Sequence, residues 1–297
     1  MDYLRYWTTL VIDGVAFGSV YGLMALAIVM LYRANKLFNW AQTEIAMFFV
    51  CLGASLLTRI PFFIAVSLIL GLSFLGGALF HAAVMRPITE RRHVLKSHEA
   101  VITIGFLTFF NSLNVYLFGD DSRPFPSPFG EGSFTVYGVE ISKHSLGVLA
   151  TVTIMAFCVY VFYKFTRIGL VFEAVSENVE AARLRGIRSS NFLALAWGLS
   201  VMTSAIGAVL IAPMLTVSPS MLISVLTYAL MSVVIGGMES PFGGLVGGVI
   251  VGVTENLSAN VEFIGTDLKL VAVILVVVTI LTLKPRGLWG RAEARRV

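Results

Sequence analysis

The chain has 297 residues, of which 57% are hydrophobic and 13% charged, with a mean hydropathy of +0.88 and a formal net charge of +4. Soluble chains carry about 25% charged residues, so an assembly of soluble domains is excluded. Apolar runs recur along the whole length, and about 20 such residues cross the hydrocarbon core of a bilayer as a helix. The composition therefore defines a polytopic membrane protein with an all-α fold.

The apolar runs fall at residues 11–32, 40–57, 61–85, 99–118, 146–165, 192–213, 221–238, 243–258 and 267–283. They predict a bundle of about 8–9 transmembrane helices in a single membrane domain over residues 1–297. The uninterrupted apolar stretch from about Val15 to Tyr32 reads as a retained helix rather than a signal peptide, because Asp2 and Asp13 precede it and its apolar core is longer than a signal sequence requires. Two regions are expected to be broken or re-entrant. The run 40–57 opens on polar residues, and 221–258 is two short pieces interrupted by glycine. Between the fourth and fifth runs lies the polar loop GDDSRPFPSPFGEGSFTVYGVEISKH, with a short hairpin expected at FTVYGVEI. Cys51 and Cys158 lie inside apolar runs and read as buried filler, without disulfide or metal spacing.

Lysine and arginine set the predicted orientation. Placing 33–36, 86–96, 164–188 and 284–296 in the cytoplasm collects 16 of the 21 basic residues. An asymmetry of this size orients a membrane protein strongly. Alternation through nine segments then puts the N-terminus outside and the C-terminus inside. The net positive charge is thus a topology signal, without bearing on nucleic acid.

Gly14, Gly18 and Gly22 recur every fourth residue, as do Gly244, Gly248 and Gly252. On a helix this spacing forms a groove that admits a second backbone closely. Contacts within the bundle and an interface with a second membrane subunit both fit it.

Polar groups interrupt the apolar faces at a few places. Asn39, Gln42 and Thr43 share one helix face and Glu44 lies further round. A carboxylate at membrane depth costs about 2.5–3.5 kcal/mol on insertion scales and faces a cavity or a partner; for Glu44, helix capping or a bond to a neighbouring helix is the plainer reading. Asn111 and Asn114 lie three apart on the fourth helix, and Ser224, Thr227, Tyr228 and Ser232 form a polar stripe on the seventh. Gln42, Thr43, Asn111 and Tyr228 are the candidate lining of a solute pathway, with helix-to-helix hydrogen bonds as the competing account. Glu255 and Asn256 close the eighth run and are expected at the outer interface, while His81 reads as a packing residue. No nucleophile with a base, no paired carboxylates, no metal cluster and no glycine-rich phosphate loop appears. The chain reads as a conduit, not an enzyme, with no metal or cofactor of its own.

Residues 173–187, EAVSENVEAARLRGI, form a charged segment inside this apolar chain. Ser176 is a plausible N-cap, Glu177 and Glu180 suit the first turn, and Arg183 and Arg185 suit the last, with Gly186 as the C′ residue. These signals predict a short cytoplasmic helix over 176–186, with Ala181 and Ala182 on a small-residue face fit for docking into a partner.

The sequence resembles the permease subunits of branched-chain amino acid ABC importers from about residue 10 to 291. DGVAFGSVYGLMALAIVMLYRANKLFNWAQTE is similar to that family's first helix and the polar stretch after it. RPITERR with ITIGF, VSPS, VIGGMESPFGGLVGGVIVGVTE and LKPRGLWGR follow in the family's order. Trp40, Thr43 and the Met238-Glu239-Ser240-Pro241 run depart from the family pattern, and those departures bear on the solute. Urea, short amides and aromatic acids are further solutes of related permeases. The resemblance implies that Glu177, Glu180, Ala181, Ala182, Arg183 and Gly186, within a coupling segment over 166–191, seat in ATP-binding subunits. It implies a second homologous permease, two cytoplasmic ATPases that carry ATP and magnesium, a periplasmic solute-binding protein, and a bacterial inner-membrane location. The alternative is an ion- or proton-coupled secondary transporter, which needs interior carboxylates that titrate; Glu44 and Glu255 are the candidates.

Overall fold

The computed structural model describes residues 2–89, 96–136, 138–177, 189–263 and 265–290. The helices are α1 (Asp2–Asn35), α2 (Gln42–Leu56), α3 (Phe62–Phe80), α4 (Arg86–Thr89), α5 (Lys96–Phe118), α6 (Lys143–Phe165) and α7 (Arg167–Glu177). They continue with α8 (Ser189–Leu215), α9 (Met221–Gly236), α10 (Pro241–Ala259) and α11 (Gly265–Leu283). A π turn, His81–Met85, joins α3 to α4. Among the described residues seven helices are long and apolar enough to cross a membrane, and α2 and α9 are shorter apolar helices. All nine apolar runs are helical.

The loop hairpin forms at the expected place. Strands β1 (Ser133–Val136) and β2 (Val139–Ser142) pair antiparallel, with Val136 opposite Val139. Gly138 makes the turn at a φ of 80°, in the left-handed region that glycine enters without steric cost.

The helices group into two compact units. The first comprises Met1–Val29, Pro126–Ile154 and Val225–Val297. Its core is a glycine seam between α1 and α10. A Cβ added at Gly18 would sit 2.5 Å from the carbonyl oxygen of Gly248, and one at Gly22 would sit 2.7 Å from that of Leu245. Gly14 faces the backbone of Gly252 and Val253 in the same way. Gly244 is the looser position, since a Cβ there would first meet the Ala25 side chain at 3.3 Å. Ser240 caps α10 by accepting a hydrogen bond from Gly243 N at 3.0 Å, and Pro241 supplies a first-turn residue with no amide to satisfy. The segment after α11 folds back on the end of α9, where Leu288 N donates to Ile235 O at 2.8 Å and Trp289 N to Gly236 O at 3.1 Å.

The second unit comprises Met30–Phe125 and Met155–Ser224. Here α2 packs against α3, α5 and α8, and α3 against α8. Gly77 and Gly198 bring α3 and α8 together: a Cβ on either would lie within 2.8 Å of a backbone oxygen on the other helix. Trp197 is buried there, its ring centroid 5.5 Å from that of Phe80 and 6.0 Å from that of His81. His81 is thus a packed residue at the start of the π turn. After α8, Thr216 adopts a φ of 67° and Val217 forms a two-hydrogen-bond bridge with Arg123 at 2.8 and 2.9 Å.

Two expectations change. Cys51 is buried but Cys158, on α6, is exposed. Ser176 lies within the last turn of α7, so no helix starts there; the run beginning at Arg167 is helical enough to carry through it. Glu255 is buried and bonded to Tyr21 and Lys269.

Candidate functional site

The buried polar residues of the second unit collect around the start of α2. Lys36 ends α1 in a left-handed conformation with a φ of 59°, and its N–H closes on Tyr32 O at 2.7 Å. Residues 37–41 then run without helix. Asn39 stabilises this link by accepting a hydrogen bond from Ala41 N at 3.1 Å, and Asn35 does the same for Leu37 N at 3.0 Å. Fifteen residues of α2 extend about 22 Å, short of a hydrocarbon core of about 30 Å. A non-helical link beside a short helix is tolerated at membrane depth only where protein covers it, and Asn39, Ala41, Gln42, Thr43 and Glu44 are all buried.

The first turn of α2 presents two polar faces. On one, Gln42 meets α8: Ser200 Oγ donates to Gln42 Oε1 at 2.6 Å, and Gln42 Nε2 donates to Ser204 Oγ at 3.4 Å. On the other, Glu44 meets α5: Asn111 Nδ2 donates to Glu44 Oε2 at 3.3 Å, and Asn114 Nδ2 donates to the Glu44 carbonyl at 3.4 Å. Glu44 is fully buried and forms no ion pair with any described residue.

The first unit holds a second cluster. Tyr21 and Tyr228 stack with ring centroids 5.1 Å apart and planes inclined by 23°. The Tyr21 hydroxyl donates to Glu255 Oε2 at 2.6 Å, and Lys269 Nζ pairs with Glu255 Oε1 at 2.7 Å. The ammonium also lies 6.0 Å above the Tyr228 ring. Asn256 ties α10 to α1 through the Leu10 carbonyl at 2.6 Å.

Of the four residues proposed for a pathway, Gln42, Thr43 and Asn111 belong to the second unit, and Tyr228 belongs to the first. Glu177 is the last residue of α7. Glu180, Ala181, Ala182, Arg183 and Gly186 lie outside the described residues. No group of three metal-ligating side chains occurs among the described residues. Sequence reasoning missed Ser200 and Ser204, although their four-residue spacing places two hydroxyls on one helix face. It also missed the ion pair, because Lys269 opens α11 fourteen residues after Glu255 and only the fold brings them together.

Seven helices long and apolar enough to cross a membrane, among the described residues, define a multi-pass helical membrane protein. The chain belongs to the family described as the branched-chain amino acid transport system permease component, whose model matches residues 10–283. It is 24% identical over 316 residues to the high-affinity branched-chain amino acid transport system permease protein BraD of Pseudomonas aeruginosa, covering 100% of both chains. It is 25% identical over 311 residues to the LivH permease proteins of Salmonella typhimurium and Escherichia coli K12, covering 98% of each chain. No solved structure matches the chain.

Proposed function

We propose that this chain is a transmembrane permease subunit of an ATP-driven importer for branched-chain amino acids or a related small polar solute. The observation that carries this reading is similarity to permease proteins over essentially the full length of both chains. In this reading the chain pairs with a second homologous permease, two cytoplasmic ATP-binding subunits and a periplasmic solute-binding protein in a bacterial inner membrane. ATP and magnesium belong to the ATPases, and this chain carries no catalysis. Its N-terminus is periplasmic and its C-terminus cytoplasmic.

The stretch around 176–186 couples the bundle to the ATPases. Closure of the ATPases on ATP moves this segment, and the membrane helices follow between inward- and outward-open states. Gln42, Thr43, Asn111 and Tyr228 offer polar groups to the solute along an otherwise apolar route. Two features of the chain support the reading: the charged segment that interrupts the apolar chain on its basic side, and the buried polar first turn of α2. The test is purification of the chain with the ATPases encoded beside it, followed by leucine uptake into proteoliposomes with and without ATP. ATP-dependent uptake is the expected result; uptake driven by an ion gradient alone contradicts it.

A further inference from the structure

The N-terminus of α2 is a buried helix end with unfilled hydrogen-bonding capacity of both signs. Its N-cap residue is Ala41, which has no side chain to cap it. The backbone N–H groups of Gln42, Thr43 and Glu44 have no acceptor among the described residues. A helix leaves its first N–H groups without intrahelical partners, and a buried end with no cap is a site of positive potential that favours an anion. Two further donors belong to the same turn and its lead-in. Thr43 is fully buried and Asn39 is 4% exposed, and neither the Thr43 hydroxyl nor Asn39 Nδ2 has a partner among the described residues.

The same cluster holds unfilled acceptors. Glu44 Oε1 and Asn114 Oδ1 lack partners among the described residues, and both side chains are fully buried. The Asn114 amide also donates to the Glu44 backbone carbonyl at 3.4 Å, which brings the two residues into contact. Buried polar groups are satisfied in the great majority of native structures, and an unpaired carboxylate at membrane depth is costly. Thr43 and Glu44, consecutive in the first turn of α2, thus carry an unfilled donor and an unfilled carboxylate oxygen, with Asn39 just before the turn and Asn114 on α5 in contact with Glu44. Asn111 is only half-buried and bonds to the other Glu44 oxygen, which makes its side the open edge of the cluster.

We infer that the first turn of α2 is a subsite for a zwitterionic α-amino acid. The carboxylate takes the three backbone N–H groups, the Thr43 hydroxyl and Asn39 Nδ2; the ammonium takes Glu44 Oε1 and Asn114 Oδ1. The inference rests on the transport reading above and adds the residues that recognise the transported class. A neutral urea or amide has no ammonium for Glu44, so the site selects against it.

The test uses the full chain in lipid nanodiscs and three probes: L-leucine, isocaproate, which lacks the ammonium, and isoamylamine, which lacks the carboxylate. Calorimetric titration is expected to show leucine bound about tenfold or more tighter than both analogues. Glu44→Gln weakens leucine and isoamylamine about tenfold and leaves isocaproate unchanged. Thr43→Val does the reverse, and Thr43→Ser restores binding. The retained analogue in each variant shows that it is folded; should Glu44→Gln fail to fold, Asn114→Leu is expected to weaken isoamylamine alone among the two analogues. Leucine binding unchanged in Glu44→Gln overturns the inference, as does wild-type protein that holds all three probes equally. ATP-driven leucine uptake without any leucine binding by this chain overturns the subsite and leaves the importer reading standing. The predicted variant pattern in a chain that drives no ATP-dependent uptake does the opposite.

Discussion

The hydroxyl of Tyr21 lies 2.6 Å from Glu255 Oε2, so a residue in the middle of α1 donates to a carboxylate near the end of α10. Lys269 holds the other oxygen at 2.7 Å, with side-chain exposures of 36% for the lysine and 10% for the glutamate. The asymmetry in burial matters more than the pair itself. A long lysine chain that loses its partner reaches toward water, whereas Glu255 stays where it is.

Lys269→Met is therefore expected to destabilise the protein more than Glu255→Gln does. Leaving one charge of a fully buried pair alone costs about 3–5 kcal/mol; with the lysine 36% exposed, this pair falls at or below the low end of that range. Thermal unfolding of the purified chain in detergent measures both, and the double variant Glu255→Gln/Lys269→Met is expected to recover part of the loss. Equal effects of the two single changes contradict this account.

The glycine seam gives a sharper contrast. Gly18→Val and Gly248→Val place side-chain carbon inside backbone of the facing helix, while a Cβ at Gly71 or Gly105 meets nothing within 4 Å. The two seam variants are expected to lose the monodisperse peak in size-exclusion chromatography, and Gly71→Ala and Gly105→Ala to keep it. Tolerance at Gly18 means that the helices do not meet as described.

Gln42 binds α8 through two serines at unequal distances, 2.6 Å to Ser200 and 3.4 Å to Ser204. Ser200→Ala is expected to cost about 1 kcal/mol, within the range found for interhelical hydrogen bonds in membranes, and Ser204→Ala clearly less. The check is the same thermal measurement, and the reverse order would count against the geometry.

Topology is checked by labelling. In a background of Cys51→Ala and Cys158→Ser, a cysteine at Glu131 is expected to react with an impermeant maleimide outside intact cells, and one at Lys284 only after permeabilisation. Reaction of both from outside contradicts the orientation read from the basic residues.

Much of the fold was legible because a bilayer imposes one period and one length. Each of the nine apolar runs became a helix, and the basic residues cluster in their connections. The glycines spaced by four face one another because only a residue without a side chain permits that approach. Ser176 was misread as a cap because capping signals are local, whereas the helix that contains it begins at Arg167. The unfilled first turn of α2 was half visible. The polar residues of NWAQTE stand out in an apolar run, but only the fold shows which atoms find partners.

The central claim is that ATP hydrolysed by partner subunits drives solute through this chain. Ala182→Arg tests it most directly, because arginine forms helix nearly as well as alanine yet puts a charge on the proposed docking face. A loss of about 4 kcal/mol there weakens docking roughly a thousandfold. The measurement is co-purification of the ATPases with wild-type and Ala182→Arg permease, with leucine-stimulated ATP hydrolysis in the same proteoliposomes. The account predicts a folded variant that retains neither the ATPases nor stimulated hydrolysis. Wild-type ATPase binding and hydrolysis by Ala182→Arg would contradict it.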